Sequence, residues 1–343
     1  MALSIYKSMV RPLAFRLDPE RAHALAHWAL PILGPLARLR GDRVDPRLAT
    51  ELAGLQLTSP VGLAPGFDKN ALSFRPLMRL GFGYVQVGSI LMQPRDGNVK
   101  PRLLRDVENE SLLNALGSPS RGVDFAERNL RRGAGHNGVI VANVIGFDVE
   151  EGVELVRRLE PLVDAVEIGL RCPNVVGRRT NTLDPENFEW MVREINQTRT
   201  KPLFVKLPSY DHGEREARFE LVRLMADLSV DAVTVPGSYA RKDSRSPIGT
   251  FRISGPPIKE RALAFVRDMY GLVGNRMAIK ALGGISTGQD AFNAIAAGAT
   301  CVELFTGAIY EGPMVARRIN RELSELLERH DLASVAELRG TGT

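Results

Sequence analysis

The feature that most constrains the fold of this chain is a unit that repeats along it after residue 60. Each unit is a short run rich in Val, Ile, Leu and Ala, then a polar or glycine-containing turn, then a helical pattern. The apolar runs cover residues 61–66, 84–90, 139–145, 165–170, 202–208, 232–237, 277–285 and 301–307. Continuous apolar strands that alternate with helices are typical of a parallel sheet buried on both faces. Eight such units in about 250 residues predict an α/β fold of the (β/α)8 TIM-barrel type.

An open, doubly wound sheet is the alternative architecture for such a pattern. Dinucleotide-binding sheets of that kind carry a G-x-G-x-x-G motif between the first strand and its helix, and this chain has none there. The 343 residues, 44% of them hydrophobic, are enough for one large core or two modest ones. We therefore favour the barrel.

Cysteine content and the N-terminal residues limit the compartment. The two cysteines, Cys172 and Cys301, cannot form a disulfide framework, and no C-x-x-C or His/Cys cluster indicates zinc, so we expect no metal. The N-terminus lacks the apolar core and cleavage site of a signal peptide, and no apolar run approaches the ~20 residues that span a bilayer. These features predict a protein of the reducing cytoplasm.

The chain is mildly basic, with a formal net charge of +5 and a pI near 9.3. That balance is compatible with an anionic substrate, a phosphate-bearing cofactor or a lipid surface, as well as with nucleic acid. Aromatic residues make up 6% of the chain and no nucleic-acid-binding module is recognisable, so we do not expect nucleic acid as a partner.

Residues 1–43 lack the repeating unit and are predicted to form a helical extension of a barrel at residues 44–343. The stretches "SIYKSMVRPLAF" and "DPERAHALAHWAL" indicate two short helices. Asp18 is the expected N-cap of the second helix and Pro19 its first residue. Pro31 and Pro35 are expected to break the helical pattern.

Both helices of this extension are amphipathic and basic. Their apolar positions are Ile5, Met9, Leu13, Leu25 and Trp28, and their basic positions are Lys7, Arg11, Arg16, Arg21, Arg38 and Arg40. A basic amphipathic pair suits the interface of an anionic membrane. The same pattern is equally compatible with a lid that packs on the barrel.

TIM-barrel enzymes hold their active sites at the carboxyl ends of the strands. "GGIS" and "FTGA" follow the seventh and eighth strands, where barrels often bind a phosphate on bare backbone N–H groups. The alternative is that both are only tight turns. Lys69 follows the first strand and Lys206 ends the fifth, and two lysines facing an apparent phosphate site could together hold a flavin.

Nine short motifs along the chain form a recognisable set. They are "RLDPERAH" (16–23), "VGLAPGFDKN" (61–70), "GFGYVQVGSI" (81–90), "KPRLLRD" (100–106), "CPNVVG" (172–177), "LFVKLP" (203–208), "ISGPPI" (253–258), "GGISTGQDA" (283–291) and "ELFTGA" (303–308). With these motifs the chain resembles the dihydroorotate dehydrogenases, above all the class 2, membrane-associated and quinone-linked enzymes. The resemblance covers nearly the whole length, and "GFDKN" followed by "GGISTGQDA" is its most specific part.

The resemblance implies an FMN that lies across the barrel mouth. The matching cofactor positions are Ala64, Gly66, Lys69, Gly88, Ser89, Asn143, Lys206, Ser254, Gly255, Gly283, Gly284, Phe305 and Thr306. It also implies a quinone tunnel lined by His23, Arg105 and Phe305, the last in place of a usual tyrosine. The helical extension would form the mouth of that tunnel, on the cytoplasmic side of the cell membrane as a peripheral protein.

The resemblance assigns the catalytic base to Cys172, the residue before "PN". In the family this residue removes a C5 proton of dihydroorotate while a hydride passes from C6 to flavin N5. Class 2 members usually have serine there and class 1 members cysteine; a thiol, with a pKa near ~8.5, is the easier group to deprotonate. The implied substrate-binding residues are Lys69, Asn114, Asn174 and Ser238. Cys301 is predicted to be an inert buried thiol.

The substrate pocket departs from the family pattern. Gly169 and Gly237 stand where the family has asparagines, and "GSPS" at 117–120 replaces an aromatic residue followed by asparagine. We expect a roomier pocket that binds dihydroorotate less well, since each lost hydrogen bond is worth ~1 kcal/mol. Three functions follow: a quinone-linked dihydroorotate dehydrogenase of pyrimidine biosynthesis, a paralogue using the same chemistry on another substrate, or a non-catalytic, membrane-associated flavoprotein.

Overall fold

A computed structural model of the chain describes residues 5–38, 44–135, 137–170, 175, 181–209 and 212–342. Its strands are β1 (Thr50–Leu52), β2 (Leu55–Leu57), β3 (Val61–Asp68), β4 (Tyr84–Ile90), β5 (Leu103–Asp106), β6 (Ser111–Asn114), β7 (Val139–Val144), β8 (Ala165–Gly169), β9 (Leu203–Lys206), β10 (Ala232–Thr234), β11 (Tyr239–Lys242), β12 (Thr250–Ser254), β13 (Ala278–Leu282) and β14 (Cys301–Leu304). Its helices are α1 (Arg11–Phe15), α2 (Pro19–Arg38), α3 (Phe74–Met78), α4 (Val123–Arg132), α5 (Val149–Leu159), α6 (Pro185–Thr198), α7 (Arg215–Asp227), α8 (Lys259–Val273), α9 (Gly288–Ala296), α10 (Thr306–Glu311), α11 (Val315–Arg329) and α12 (Val335–Leu338). A π-helical turn, Tyr6–Val10, precedes α1.

Eight parallel strands close into a barrel in the order β3, β4, β7, β8, β9, β10, β13 and β14. The predicted TIM barrel is therefore confirmed, and each of the eight apolar runs contributes one strand. Six of the eight strands, β13 and β14 among them, are shorter than their runs. Gly283, with φ +123°, turns the chain immediately after β13, and Leu304 ends β14 two residues before Thr306 begins α10.

The amino end of the barrel is closed by the β1–β2 hairpin. Leu52 and Leu57 of the hairpin pack against Tyr84, Phe204 and Cys301 inside the barrel. Cys301 is fully buried, as the sequence predicts, and burial raises the pKa of its thiol far above the ordinary range. This end of the barrel is an apolar plug.

A four-stranded antiparallel sheet, in the order β11, β12, β6 and β5, is built from segments that follow barrel strands β4 and β10. It brings β6 and β12 side by side, with Asn114 opposite Arg252. The sequence analysis did not predict this sheet, because its strands are only four or five residues long and two of them, β5 and β11, are not buried.

The second N-terminal helix starts as predicted but ends differently. Asp18 Oδ1 accepts hydrogen bonds from the N–H groups of Glu20 and Arg21, both at 3.1 Å. The expected break at Pro31 and Pro35 is wrong, because α2 continues to Arg38.

Tertiary packing accounts for that continuity. A proline inside a helix removes one backbone hydrogen bond and strains the preceding turn. Here Leu30 is buried, and a Cβ on Gly34 would lie 2.9 Å from Pro76 Cβ, so α2 lies directly on α3. That contact offsets the missing hydrogen bonds. None of the helices in the described part of the chain has both the length and the apolar character needed to cross a membrane.

Candidate active site

The two predicted site lysines lie at the carboxyl end of the barrel. Lys69 directly follows β3, and its Nζ donates a hydrogen bond to Gly66 O at 2.7 Å. Burial lowers the pKa of Lys69 to about 8; Glu20 and Asp68 oppose that shift without cancelling it. Lys206 is the last residue of β9.

Gly88, Ser89 and Asn143 come together between β4 and β7. Gly88 has φ +116°, and a Cβ there would lie 2.2 Å from Asn143 O, so only glycine permits this approach. The Ser89 hydroxyl donates to Asn143 Oδ1, and Asn143 Nδ2 donates to Glu167 Oε1 at 2.8 Å. Of the three residues expected at a flavin, Ser89 and Asn143 are therefore hydrogen-bonded to each other, and Gly88 packs closely against Asn143.

Glycine turns converge on one small pocket at the other side of the mouth. A Cβ on Gly255 would lie 2.8 Å from Glu110 O, one on Gly284 would lie 2.7 Å from Lys259 Cα, and one on Gly307 would lie 2.5 Å from Ile285 O. The pocket is lined by Glu110, Gly255, Pro256, Gly284, Ile285, Ser286, Gly307, Tyr310 and Glu311. The backbone of three glycines lines this pocket, and its two carboxylates are already paired, Glu110 with Arg11 and Glu311 with Lys7 and Arg318, so the residues present fit a phosphate.

Two hydroxyl side chains lie at the edge of this pocket. Ser254 Oγ and Thr306 Oγ1 are 2.8 Å apart and share a hydrogen bond. Ser254 ends β12 and Thr306 begins α10, so the four-stranded antiparallel sheet and the last barrel unit meet here. Gly283, also expected at the cofactor, precedes Gly284.

Aromatic side chains connect the first barrel strand to the N-terminal helices. The Phe67 ring lies 5.2 Å from the His23 ring and 6.3 Å from the Phe305 ring, centroid to centroid. His23 Nε2 and His27 Nε2 both donate to Phe67 O, at 2.8 and 3.0 Å. His23 and Phe305, two of the predicted tunnel residues, thus belong to one cluster on the barrel flank.

His23 is neutral at physiological pH in this setting. Burial lowers its pKa to about 3, and the nearby charges of Lys69 and His27 act in the same direction. Its Nε2 proton is held by the Phe67 carbonyl. The imidazole can therefore receive a hydrogen bond only at Nδ1.

Arg105, the third predicted tunnel residue, holds the junction between α1 and α2. Its Nη1 donates to Leu17 O at 2.8 Å and to Phe15 O at 3.4 Å, and its guanidinium lies 4.6 Å from the centroid of the Phe15 ring. Burial lowers its pKa, although Arg105 remains a cation. Arg105 thus connects β5 to the helical extension.

Two of the predicted substrate-binding residues lie at the four-stranded antiparallel sheet: Asn114 ends β6, and Ser238 directly precedes β11. Asn114 Oδ1 accepts from Leu116 N–H at 3.2 Å, and Ser238 Oγ accepts from Arg252 Nε at 3.0 Å. Arg252 is a buried cation that the sequence analysis did not single out.

Cys172 and Asn174 lie outside the described residues. The residues that flank their segment are both fixed near Lys206. Leu170 N–H donates to Lys206 O at 3.3 Å, and Thr182 Oγ1 donates to Leu170 O. Cys172 therefore follows by two residues a position anchored at the carboxyl end of the barrel.

The expected gain of room at the two glycine positions is wrong at Gly237. A Cβ there would lie 2.3 Å from Leu282 Cγ, so an apolar side chain already occupies the space. At Gly169 a Cβ would lie 3.1 Å from Ile145 Cγ1, a tight but not prohibitive contact. Neither glycine has a positive φ. Leucine and isoleucine side chains, rather than open space, border the positions of the two missing amides.

The sequence analysis also missed a layer of charged and polar side chains inside the barrel. Lys280 Nζ lies 2.7 Å from Glu167 Oε2 and 2.9 Å from Glu303 Oε1, and all three side chains are fully buried. The signal was present: a single charged residue interrupts each of the runs "AVEIGL", "MAIKALGGI" and "CVELFTG". Isolated charges in buried strands indicate partners across the barrel.

The chain is similar to known proteins over nearly its whole length. The family profile described as Dihydroorotate dehydrogenase matches residues 47–327. A protein of Erythrobacter litoralis named dihydroorotate dehydrogenase (quinone) is 35% identical over 351 residues, covering 97% of this chain and 99% of the relative. A protein of Roseiflexus sp. with the same name is 33% identical over 359 residues, covering 98% of each.

A solved structure of the same family is also similar to this chain. The dihydroorotate dehydrogenase of Eimeria tenella, crystallised in complex with ferulenol, superposes with a TM-score of 0.83 at 30% identity, covering 94% of this chain and 95% of that one.

Proposed function

The chain belongs to the dihydroorotate dehydrogenase family, and on that premise we propose that it oxidises dihydroorotate to orotate with FMN and passes the electrons to a quinone. The observation that carries the proposal is the near-complete, two-way coverage of relatives named dihydroorotate dehydrogenase (quinone). The names of these relatives do not favour a divergent paralogue or a non-catalytic flavoprotein.

The strand-end residues support FMN as the cofactor, which when bound supplies a hydride acceptor. The glycine turns at Gly255, Gly284 and Gly307 would hold its phosphate on backbone N–H groups. Ser89, Asn143 and Lys206 would contact the ring system, with a lysine near the end that becomes anionic. The side chains of Ser89 and Asn143 are already fixed by hydrogen bonds, and the backbone of Lys206 is fixed by strand pairing, so little ordering of these groups is required on binding.

In the proposed mechanism Cys172 accepts the proton from C5 of the substrate. Support for this role comes from its place before "PN" and from the anchored residue Leu170 two positions earlier. The Lys69 ammonium, at neutral pH, would attract the substrate carboxylate, and Asn114 and Asn174 would orient the ring. Arg252 keeps the Ser238 hydroxyl oriented from behind.

We propose that the N-terminal helices dock peripherally on the cytoplasmic face of the membrane and admit the quinone. The exposed apolar residues Leu25, Trp28 and Ile32 share one face of α2. Lys7 and Arg11, by contrast, form ion pairs with Glu311 and Glu110, and these carboxylates compete with lipid for their charge. Lipid attraction would therefore depend on apolar contact, with Arg16 and Arg21 at its edge.

An anaerobic titration tests the activity directly. The purified protein should be yellow, and dihydroorotate should bleach the oxidised flavin band near about 450 nm, a property of the cofactor. A soluble quinone should then restore the band. A protein that binds FMN but is not bleached by dihydroorotate would refute the proposed substrate; a colourless protein that ignores added FMN would refute the flavin site itself.

A further inference from the structure

The layer of buried charge inside the barrel has no role in the mechanism described above. Lys280 reaches the barrel interior from β13, Glu167 from β8 and Glu303 from β14. All three side chains are completely buried. Burying an ion costs several kcal/mol unless it is paired and hydrogen-bonded, and apolar residues at such positions often give equal or greater stability. Stability alone therefore does not account for this layer.

Glu167 is the centre of the layer because both of its oxygens are occupied. Its Oε2 accepts from Lys280 Nζ, Thr234 Oγ1 and Gln86 Nε2, and its Oε1 accepts from Asn143 Nδ2. Burial raises the pKa of Glu167, but the charges of the neighbouring lysines and the bonds from Lys280 and Thr234 outweigh it, so its net pKa lies below the ordinary value. Glu167 is a carboxylate.

The carboxylate determines which way the Asn143 amide faces. Because Asn143 Nδ2 donates to Glu167, its Oδ1 must face Ser89, whose hydroxyl donates to it. The Ser89 oxygen then has only its lone pairs left for a ligand. The orientation of two residues at the barrel mouth thus follows from a charge in the interior.

Only one oxygen of Glu303 has hydrogen-bond partners in the described part of the chain, so the Glu303 carboxylate relies on Lys280 more than the Glu167 carboxylate does. Its Oε1 accepts from Lys280, Gln86 and Tyr84, whereas its Oε2 is buried with no hydrogen-bond partner among the described residues. Burial lowers the pKa of Lys280, but the two carboxylates outweigh that effect and raise it above the ordinary value. One ammonium therefore balances two carboxylates, and Lys206 at the mouth supplies the second positive charge.

We propose that Lys280 is a positioning residue of the flavin site: its charge balances the carboxylates of Glu167 and Glu303, so that Glu167 orients Asn143 and Ser89. Lys280 does not touch the flavin in this role. This role rests on the proposed FMN site, where Lys280 would determine the orientation of Asn143 and Ser89 and the net charge beneath the flavin.

Charge balance predicts shifts of opposite sign in paired variants. Lys280→Met leaves excess negative charge under the mouth, so it should lower the midpoint potential of bound FMN and weaken FMN binding about tenfold, the effect of one oriented hydrogen bond. Glu303→Gln leaves excess positive charge and should raise the midpoint potential. The double variant Lys280→Met/Glu303→Gln should return the potential close to the wild-type value. The measurements are spectroelectrochemical titration and fluorescence titration of the apoprotein with FMN.

Lys242→Met, at an exposed position of β11, is the control for loss of a positive charge and should leave both values unchanged. A purely packing role of Lys280 would give no opposite shifts and no recovery in the double variant, and that result overturns the proposal. If Lys280→Met does not fold, the double variant decides: a soluble, yellow protein with near-normal potential supports charge balance, and failure to fold refutes it. A wild type that binds no FMN would instead refute the flavin site.

Discussion

The strands of the barrel bury their apolar side chains, whereas nine of the thirteen large apolar side chains that the described residues expose lie between Ile5 and Leu33. The N-terminal helices are nevertheless well attached. Tyr6 donates to Ile309 O at 2.6 Å, and the rings of Phe15 and Tyr310 meet edge to face at 5.2 Å. One face of the helices therefore packs on the barrel, and the other exposes apolar side chains suited to an apolar environment.

The difference teaches that the two proposed half-reactions use different surfaces. The residues proposed to bind substrate and flavin lie at the barrel mouth, whereas His23 lies on α2; Phe305, a proposed contact of both cofactor and quinone, follows β14 between the two regions. The Phe67 ring contacts the rings of both His23 and Phe305, and Phe67 precedes Lys69 by two residues in the chain. Changes at the mouth should affect reduction of the flavin, and changes on the exposed helix face should affect only membrane binding and reoxidation by quinone.

The largest effect is expected from Cys172→Ala. Removing an acid–base residue typically costs 10²–10⁴-fold, so flavin reduction by dihydroorotate in the stopped-flow spectrometer should slow by about that factor. FMN content and vesicle binding should stay at wild-type values. A variant that is reduced at the normal rate would show that another group takes the proton, and loss of vesicle binding would contradict the separation of the two surfaces.

The next largest effect is expected on the helix side, from Leu25→Ala/Trp28→Ala. Each side chain buried in an apolar phase contributes about 1.5–3 kcal/mol, so affinity for anionic phospholipid vesicles should fall on the order of a hundredfold. Trp190→Ala is the matched control, because Trp190 is an exposed tryptophan of the barrel helix α6, with 44% of its surface accessible. Equal losses in both variants in a sedimentation assay would mean that α2 has no special role.

A smaller, pH-dependent effect is expected at Lys69. Because its pKa is about 8, its charge is complete below that pH and is lost as the pH rises through it. Affinity for the anionic substrate should then decline by up to about tenfold per pH unit above pH 8. The lowered pKa of Lys69 also makes the stability of the folded protein depend on pH. Between pH 8, about the folded-state pKa, and the ordinary pKa of 10.5, Lys69 is protonated in the unfolded chain and neutral in the folded one, so stability rises with pH.

Lys69→Arg keeps the charge across that range and provides the control. Its pH profile of KM for dihydroorotate should stay flat where that of the wild type rises. If the wild-type KM shows no change around pH 8, the Lys69 charge does not contribute to substrate binding.

The smallest effect is expected from restoring one amide. Gly237→Asn alone should destabilise the protein, because overpacking against Leu282 costs about 1–3 kcal/mol. Gly237→Asn/Leu282→Ala removes the clash and should lower the KM for dihydroorotate about fivefold, the value of one net hydrogen bond. Leu282→Ala is the control. A single variant with wild-type melting temperature would show that Leu282 does not restrict this position.

Much of the site could be predicted from sequence because strand ends of a barrel converge. Lys69 follows an apolar run, and Asn143 and Thr306 lie near the carboxyl ends of theirs; the order of the strands decides that these residues lie at the same end of the barrel. The orientation of Asn143 could not be predicted, since it depends on Glu167, which lies 24 residues away and belongs to another strand. Helix α2 is a similar case, because the effect of Pro31 depends on what the helix packs against.

The sequence by itself favoured the barrel, since eight apolar runs alternating with helices predict a parallel sheet buried on both faces, and the G-x-G-x-x-G motif of the open, dinucleotide-binding alternative is absent. It also determined which residues occupy strand ends and which helices are amphipathic. Only the tertiary structure decided the partners across the barrel: Lys280 meets Glu167 from 113 residues away, and Leu282 fills the space beside Gly237. The physical reason is that ion pairing and close packing depend on distances between strands, which are set only when the barrel closes.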